Sequence, residues 1–341
     1  MAMCGVAAPA SADDVGGDDT GAPGGRRQQP AAEAPAAEPA QAAESDCKWF
    51  PDLRCGRSGR WDGFHMPIVA PFQFEDPFVT TSVTPYFMWH DFPNDSVFGG
   101  GDLKAVAIQA RLAITDRLAF IATRDGYVWI DPDNPLLDDR TGFTNMAAGF
   151  KYNFFKDEER KLIASGSLRF EIPIGSSWAF HGEGDSRITP GLSAAWEFLE
   201  KGHLIGDFSA EVPFDSSEST ILYYHLYADY NVLELLSPFV QMSGISYVGS
   251  GDGSFPVKLF NGSTIPLGAA QTALGTGRFD GVDYANLGSQ GVSGNSIVTM
   301  AFGLHIPIGK HVTISSAYEF PVTDQEDIFN QRVTTAINLE F

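Results

Sequence analysis

The feature that most constrains this chain is a period-two pattern that runs from Val79 to Phe341. Apolar residues alternate with small or polar residues in segments of about 10–13 residues, and such alternation is typical of β-strands. In residues 161–173, for example, Leu168 lies on one parity, and Arg169 and Glu171 lie on the other. About twelve segments follow this pattern, near 78–90, 103–115, 118–130, 144–155, 161–173, 187–199, 203–214, 220–232, 238–249, 295–307, 311–322 and 330–341.

The connections between these segments alternate in length. Short turns at one rim and long loops at the other are typical of an up-and-down barrel in an outer membrane. The sequence therefore predicts an all-β protein: a closed, antiparallel transmembrane β-barrel of about 12 strands over residues 78–341, with both chain ends at the periplasmic, short-turn side. The short connections are 115–117, 156–160, 199–202, 233–237 and 308–310, and the long ones are 91–102, 131–143, 174–186, 215–219, 250–294 and 323–329.

Strand alternation alone also fits a water-soluble sandwich or a lipocalin-like barrel, in which the apolar parity points inward. Three features favour lipid on the outside. The segments are longer than the roughly 5–6 residues usual in soluble sheets, the polar parity is rich in Gly, Ala and Ser, and aromatic residues recur at segment ends, as in an interfacial girdle. The residues expected to face lipid include Leu168, Phe208 and Phe302, and those expected to face the lumen include Arg169, Glu211 and His305.

Composition excludes two other classes. The net charge of −21 makes the chain a poor partner for nucleic acid, which binds clustered Lys and Arg. The longest apolar run is about five residues, as at 118–122, which excludes a transmembrane helix but not a barrel, since only every second barrel residue meets lipid.

The residues before the alternating region form two zones. Residues 1–45 lack aromatic residues and predict a disordered Ala/Pro-rich linker, with Ala10-Ser11-Ala12 open to reading either as a remnant of an export signal or as more linker. Residues 46–77 are basic, aromatic and rich in proline, which predicts an irregular segment inside the barrel mouth or beneath it in the periplasm. Cys47 and Cys55 within it form either a disulfide in an oxidising compartment or two free thiols.

The inward parity collects charged residues that become candidate pore-lining residues. Such side chains set ion selectivity in a pore, or they pair with one another in a closed barrel that acts only as an anchor. Arg124 falls on the lipid parity, and a bulge near Asp125-Gly126 would turn it inward. The candidates are Arg111, Lys151, Arg169, Glu171, Arg187, Glu197, Asp207, Glu211, His225, Asp229, His305, Glu319 and Arg332.

Acidic residues also stand out at strand ends and in the long loops. A Glu-X-Pro motif recurs at Glu171, Glu211 and Glu319, and more loosely at His305; strand-end geometry explains it, and a carboxylate ring at a constriction is the alternative, although the motifs are expected at both rims. Loop acids such as Asp280 and Asp283 predict solvated charge that favours cations at the outer mouth. The pattern predicts neither a cofactor nor a metal site.

Catalysis is the main rival to transport. Several histidines have serines near them in sequence, but no nucleophile elbow accompanies them, so we do not expect an enzyme. His225, between Tyr223 and Tyr227 on the inward parity, predicts a packed aromatic cluster.

The terminal strand "QRVTTAINLEF", which ends in Phe341, resembles the last strand of bacterial outer-membrane β-barrel proteins of the porin-like kind. "ARLAITDRLAFIATRDGY" is similar to barrels loosely catalogued as transporters of aromatic-degradation pathways. The resemblance implies the outer membrane of a two-membrane bacterium, outer-membrane lipid and small solutes as partners, and recognition of Phe341 by the barrel-assembly machinery.

Three functions follow in order of preference. The first is a porin-like channel for passive passage of small solutes that favours cations. The second is a non-conducting structural barrel or a surface-binding barrel whose 250–294 loop contacts outside partners, and the third is an outer-membrane enzyme that modifies lipids. The sequence leaves open the solute, the oligomeric state and whether the 250–294 loop folds into the bore.

Overall fold

A computed structural model describes residues 61–274, 279–324 and 327–341. The expectations for residues 1–45, for the export signal and for Cys47 and Cys55 lie outside this range, as do the first fifteen residues of 46–77. No helix in the described part of the chain is long and apolar enough to cross a membrane.

The described residues form mostly strands, as their alternation predicts. One short helix, α1 (Leu267–Leu274), and a 3₁₀ turn at Ser177–Ala179 lie in long connections. The strands are β1 (Ser82–Asp91), β2 (Gly101–Ala113), β3 (Leu118–Arg124), β4 (Tyr127–Pro132), β5 (Arg140–Phe143), β6 (Met146–Asp157), β7 (Leu162–Ile172), β8 (Arg187–Leu199), β9 (Gly202–Pro213), β10 (Thr220–Tyr230), β11 (Ser237–Gly249), β12 (Pro256–Lys258), β13 (Thr264–Pro266), β14 (Ser296–Ile308), β15 (Val312–Pro321) and β16 (Gln331–Glu340).

The main sheet closes on itself. β1 pairs antiparallel with β16 on one side, as at Trp89 opposite Val333, and with β2 on the other, as at Trp89 opposite Lys104. β3 and β4 form one barrel strand interrupted at 125–126, and β5 and β6 form the next one. The result is the predicted closed, up-and-down barrel of twelve strands, with β12 and β13 as a separate hairpin in the 250–295 connection.

The two faces of the wall carry the residues that the alternation assigns to them. Phe208 is 49% exposed on the outside, whereas His305 is fully buried inside. This follows from the pleat, which directs successive side chains to opposite faces. The predicted outward direction is therefore confirmed for Leu168, Phe208 and Phe302, and the inward direction for Arg169, Glu211 and His305.

Arg124 shows how a local irregularity changes this assignment. The register between β3 and β6 shifts between Ala122 and Arg124, so that Thr123 and Arg124 are both buried. The predicted bulge therefore turns Arg124 into the barrel. The chain then passes through Gly126, where the φ of +146° favours glycine. A side chain would not fit there, because an added Cβ would lie 2.7 Å from the Val106 carbonyl oxygen.

Two chain segments, rather than wall side chains alone, fill the lumen. We call residues 61–81 the inner plug and residues 279–289, within the 250–295 connection, the loop plug. Every residue from 64 to 78 and from 279 to 289 is buried. The long loop thus folds into the bore, which the sequence left open.

Candidate functional site: a lumen closed by two segments

The candidate pore-lining residues all point away from the lipid side, but into a filled bore. Their side chains contact the two plugs or one another. Glu197 is partly buried and pairs with Lys161. The other twelve are buried: Arg111, Lys151, Arg169, Glu171, Arg187, Asp207, Glu211, His225, Asp229, His305, Glu319 and Arg332.

The strongest anchor of the inner plug is Glu75. Arg111 on β2 donates to it twice, from Nε to Oε1 at 3.0 Å and from Nη2 to Oε2 at 2.7 Å. Lys151 on β6 donates to the same Oε1 at 2.7 Å and to Oδ1 of Asp76 at 3.1 Å. Because all four side chains are buried, these charges are paired with one another rather than with water.

The wall also satisfies the backbone of the inner plug. This segment contains no strand or helix, so its carbonyl groups need partners from elsewhere. Gln109 donates to the Pro71 carbonyl at 2.6 Å, Gln241 to the Val69 carbonyl at 2.9 Å, and Arg169 to the Phe72 carbonyl at 2.7 Å. Polar wall residues therefore supply the hydrogen bonds that water would give these carbonyl groups in an open bore.

A histidine cluster holds the plug toward the short-turn end. The His65 ring stacks on His305 with centroids 4.8 Å apart, and Phe64 packs on His203 at 4.2 Å. His305 also contacts the Tyr227 hydroxyl at 2.8 Å, which donates onward to Asp229 at 2.8 Å. Nearer the middle of the barrel wall, the Phe74 ring stacks on His225 with centroids 5.0 Å apart. The predicted aromatic cluster around His225 therefore includes a plug residue that sequence reasoning did not assign to it.

The loop plug is anchored by a second ion pair. Arg332 donates from Nη1 and Nη2 to the two oxygens of Asp283 at 2.7 and 2.6 Å. Burial alone would raise the pKa of Asp283, but the Arg332 guanidinium outweighs it and lowers the pKa to about 2. Asn286 donates to Glu211 at 3.0 Å, and Tyr284 donates to the Ala179 carbonyl at 2.6 Å.

Arg124 joins the two plugs. It pairs with Glu171 at 2.8 Å, donates to the carbonyls of Asp283 and Tyr284 at 2.6 and 3.2 Å, and lies 5.2 Å from the centre of the Phe72 ring. It therefore contacts both segments at the level where they meet.

The Glu-X-Pro motifs do not form a ring of free carboxylates. Glu171, Glu211 and Glu319 all lie near strand ends that lead into long loops, and the looser motif at His305 lies at the short-turn end. The expectation of motifs at both rims therefore holds only through His305. Arg187 binds both Glu171 and Glu211, because the neighbouring strands β7, β8 and β9 place them side by side.

Little free space remains between the plugs. Two cavities of about 10 Å³ each lie where Phe72, Met88 and Tyr284 meet, which is room for about one water molecule each. At this level of the bore the described residues leave too little room for a solute to pass.

Sequence reasoning missed the plug residues that complete this site. Glu75 and Asp76 lie in an aperiodic segment, so no parity assigned them to the lumen; two acids inside the apolar stretch "PFQFEDPF" were the available signal. The expectation that Asp280 and Asp283 are solvated loop charges is wrong, since both are buried. The composition of a loop does not show whether the loop extends into solvent or folds into the bore.

No protein-family model matches the sequence, and the search of curated proteins finds no match. The fold is similar to an outer-membrane channel from Pseudomonas putida F1, with a TM-score of 0.54 and 11% identity over 82% of this chain and 100% of that chain. Weaker likenesses include the KdgM porin in complex with disordered oligogalacturonate (TM-score 0.40, 11% identity, 76% and 99% coverage) and the beta domain of the Bordetella autotransporter BrkA (0.43, 11%, 76% and 100%). This chain thus has the fold of a bacterial outer-membrane β-barrel.

Proposed function

We propose that this protein is an outer-membrane channel for small solutes and that the inner plug and the loop plug hold it closed in the state described here. The observation that carries this proposal is that two chain segments fill the lumen. Barrels of about eight strands are filled by wall side chains alone, whereas wider ones enclose a channel unless something plugs it. A twelve-stranded wall with a polar inner face is of the wider kind.

Membrane placement follows from the outer face. The apolar parity is exposed along the barrel, at Leu168, Phe208 and Phe302 among others, and only lipid would cover such a surface favourably. Outer-membrane lipid is therefore the first partner we propose. Phe341 at the end of the chain is the proposed contact for the barrel-assembly machinery.

Opening requires a plug to move, because the two plugs fill successive parts of one bore. The inner plug contacts residues near the short turns, such as Ser237 and His305, and the loop plug contacts residues near the long loops, such as Arg332 and Glu211. Since the two lie in series, locking either one would block conduction.

A reversible lock on the inner plug tests the proposal. Met66 Sδ lies 3.9 Å from Thr84 Oγ1 on β1, so a short bifunctional thiol reagent that forms reducible disulfides can tie Met66→Cys on the plug to Thr84→Cys on the wall in a chain whose Cys4, Cys47 and Cys55 are changed to serine. We expect discrete conductance steps from the refolded protein in planar bilayers, their loss on cross-linking and their return on reduction. The Thr84→Cys single variant is the control. Absence of steps under reducing conditions would overturn the proposal.

A permanently closed structural barrel is the second candidate. The small cavities at Phe72 and Tyr284 favour it, because they show that the plugs pack closely where they meet. The same recordings separate the two, since a structural barrel gives no steps under any condition. The acidic outer loops support a preference for cations at the outer mouth, which stays a prediction, as does the expectation that the protein is not an enzyme.

A further inference from the structure

We infer that Arg111 and Lys151 form a carboxylate-binding site in the channel wall, which Glu75 of the inner plug fills in the closed state and which a carboxylate-bearing solute fills when the plug leaves; the second half of this statement rests on the proposed channel function. The plug thus occupies the site as an internal substitute for the solute.

The geometry is that of carboxylate recognition. Arg111 presents two donors, Nε and Nη2, one to each oxygen of Glu75, which is the two-pronged arrangement that matches a planar carboxylate. Lys151 adds a third donor on Oε1 at 2.7 Å. Three charge-assisted hydrogen bonds to one carboxylate give both affinity and orientation.

The wall holds the Arg111 side of this site in place without the plug carboxylate. Arg111 and Lys151 lie on strands β2 and β6, and β3 lies between them in the sheet. Arg111 Nη1 also donates to Gln109 Oε1 at 3.3 Å, and Gln109 is itself tied to the wall through the Thr123 carbonyl at 2.6 Å. Arg111 therefore keeps a wall partner when Glu75 moves, whereas the hydrogen bonds of Lys151 Nζ are made to the plug.

The wall cations differ along the bore in the source of their ion-pair partners. Toward the long-loop end, the wall cations have wall carboxylates as partners: Arg124 and Arg187 pair with Glu171, and Arg332 lies 3.6 Å from Glu319. Among the described residues, Arg111 and Lys151 instead form their ion pairs with carboxylates of the inner plug, Glu75 and Asp76. Removal of the plug takes these ion-pair partners away, and an anion from the bore can replace them.

Chemical rescue of the full-length chain tests the site. Glu75→Ala removes the carboxylate and opens a space beside Arg111 and Lys151, and sodium formate is the probe. We expect formate to raise the urea midpoint of Glu75→Ala relative to sodium chloride at equal ionic strength. Above the dissociation constant, each tenfold rise in formate should increase the folded-to-unfolded ratio about tenfold.

Two variants and one neutral molecule serve as controls. Glu75→Gln fills the space with an uncharged amide, and Phe74→Ala removes a neighbouring plug contact without removing a carboxylate, so neither should respond to formate beyond its response to chloride. Formamide, which has the shape of formate but no charge, should not rescue Glu75→Ala. If Glu75→Ala does not refold in chloride, the yield of folded barrel in formate becomes the measurement.

The outcomes separate this site from the channel proposal. Formate rescue restricted to Glu75→Ala supports the site, and it does so even if no variant conducts, in which case the channel proposal fails alone. Conductance without formate rescue leaves the channel standing and overturns the site. Equal rescue by chloride or formamide, or no folded protein in any of these solutions, also overturns it.

Discussion

Lys151→Met is the substitution that most directly tests how the inner plug is held. Lys151 is fully buried, and its ammonium group donates three hydrogen bonds to the inner plug. The acceptors are Glu75 Oε1 at 2.7 Å, the Asp76 carbonyl at 2.8 Å and Asp76 Oδ1 at 3.1 Å. Methionine keeps a similar length and apolar stem but has neither charge nor donors. The substitution therefore weakens the plug without leaving a large hole in the wall.

The expected magnitude follows from burial. Removing one partner of a buried ion pair typically costs about 3–5 kcal/mol, because the other charge stays buried and under-paired. At about 1.4 kcal/mol per tenfold, this shifts the equilibrium between seated and displaced plug by roughly 10²- to 4 × 10³-fold. The barrel itself should survive, because the interstrand hydrogen bonds that close it do not involve this side chain.

Lys104→Met is the matched control. Lys104 pairs with Asp102 at 2.8 Å, but its side chain is 48% exposed, and exposed pairs contribute about 0–1 kcal/mol. Both variants lose one lysine from the barrel wall: Lys104→Met loses one exposed ion pair, and Lys151→Met loses two buried ones. The difference between them isolates the contribution of burial against the plug.

Planar-bilayer recordings measure the effect. We expect Lys151→Met to spend much more time in a conducting state than the wild type, with protease cleavage within residues 61–81 and an unchanged heat-modifiable band on SDS gels. Lys104→Met should match the wild type in all three measurements. Wild-type conductance and protease resistance in Lys151→Met would refute the claim that this ion pair holds the plug.

Three further predictions concern the loop plug and assembly. Gly288→Ala should lower the hydrogen-exchange protection of the loop plug, because the backbone there has φ +63° and a Cβ would lie 1.7 Å from the Ser217 carbonyl oxygen. Gly262→Ala is the control: φ is +78° but the space is open, so only the backbone cost of about 1 kcal/mol is expected. Burial raises the pKa of Asp280 from 3.8 to about 6, so the folded loop holds a proton that the unfolded loop loses, and this group should lower the protection of the loop by on the order of 3 kcal/mol as pH rises from about 4 to 6. Asp280→Asn should remove this part of the pH dependence and leave the part due to Asp327, which accepts from the Asp280 N–H and whose pKa burial raises to about 7. Phe341→Ala should reduce insertion by the assembly machinery in cells but leave spontaneous refolding into detergent unchanged, and equal loss in both assays would contradict a signalling role.

Parity predicted the wall because it is a local property. Each strand residue faces the bore or the lipid according to its position in the pleat, so Arg111, Lys151 and Arg332 were identified as inward-facing from sequence. Arg124 marks the limit of that rule: its inward direction depends on a register shift, which the sequence signalled only through the nearby Asp125-Gly126.

The partners of those residues were not predictable in the same way. Glu75 lies 76 positions before Lys151, and Asp283 lies 49 positions before Arg332. An aperiodic segment has no face, so nothing in its sequence states which wall residues it will meet. Acidity led the loop residues to be assigned to solvent, although Asp283 is buried opposite Arg332 and Asp280 is buried with a raised pKa.

The sequence by itself determined the wall: its strand number, its closure, and which side chains meet lipid. It could do so because alternation and loop length act between neighbours along the chain. Only the tertiary structure decided that the bore is filled, by which segments, and through which ion pairs. That decision depends on contacts between residues distant in sequence, where a buried charge is stable only opposite a particular partner.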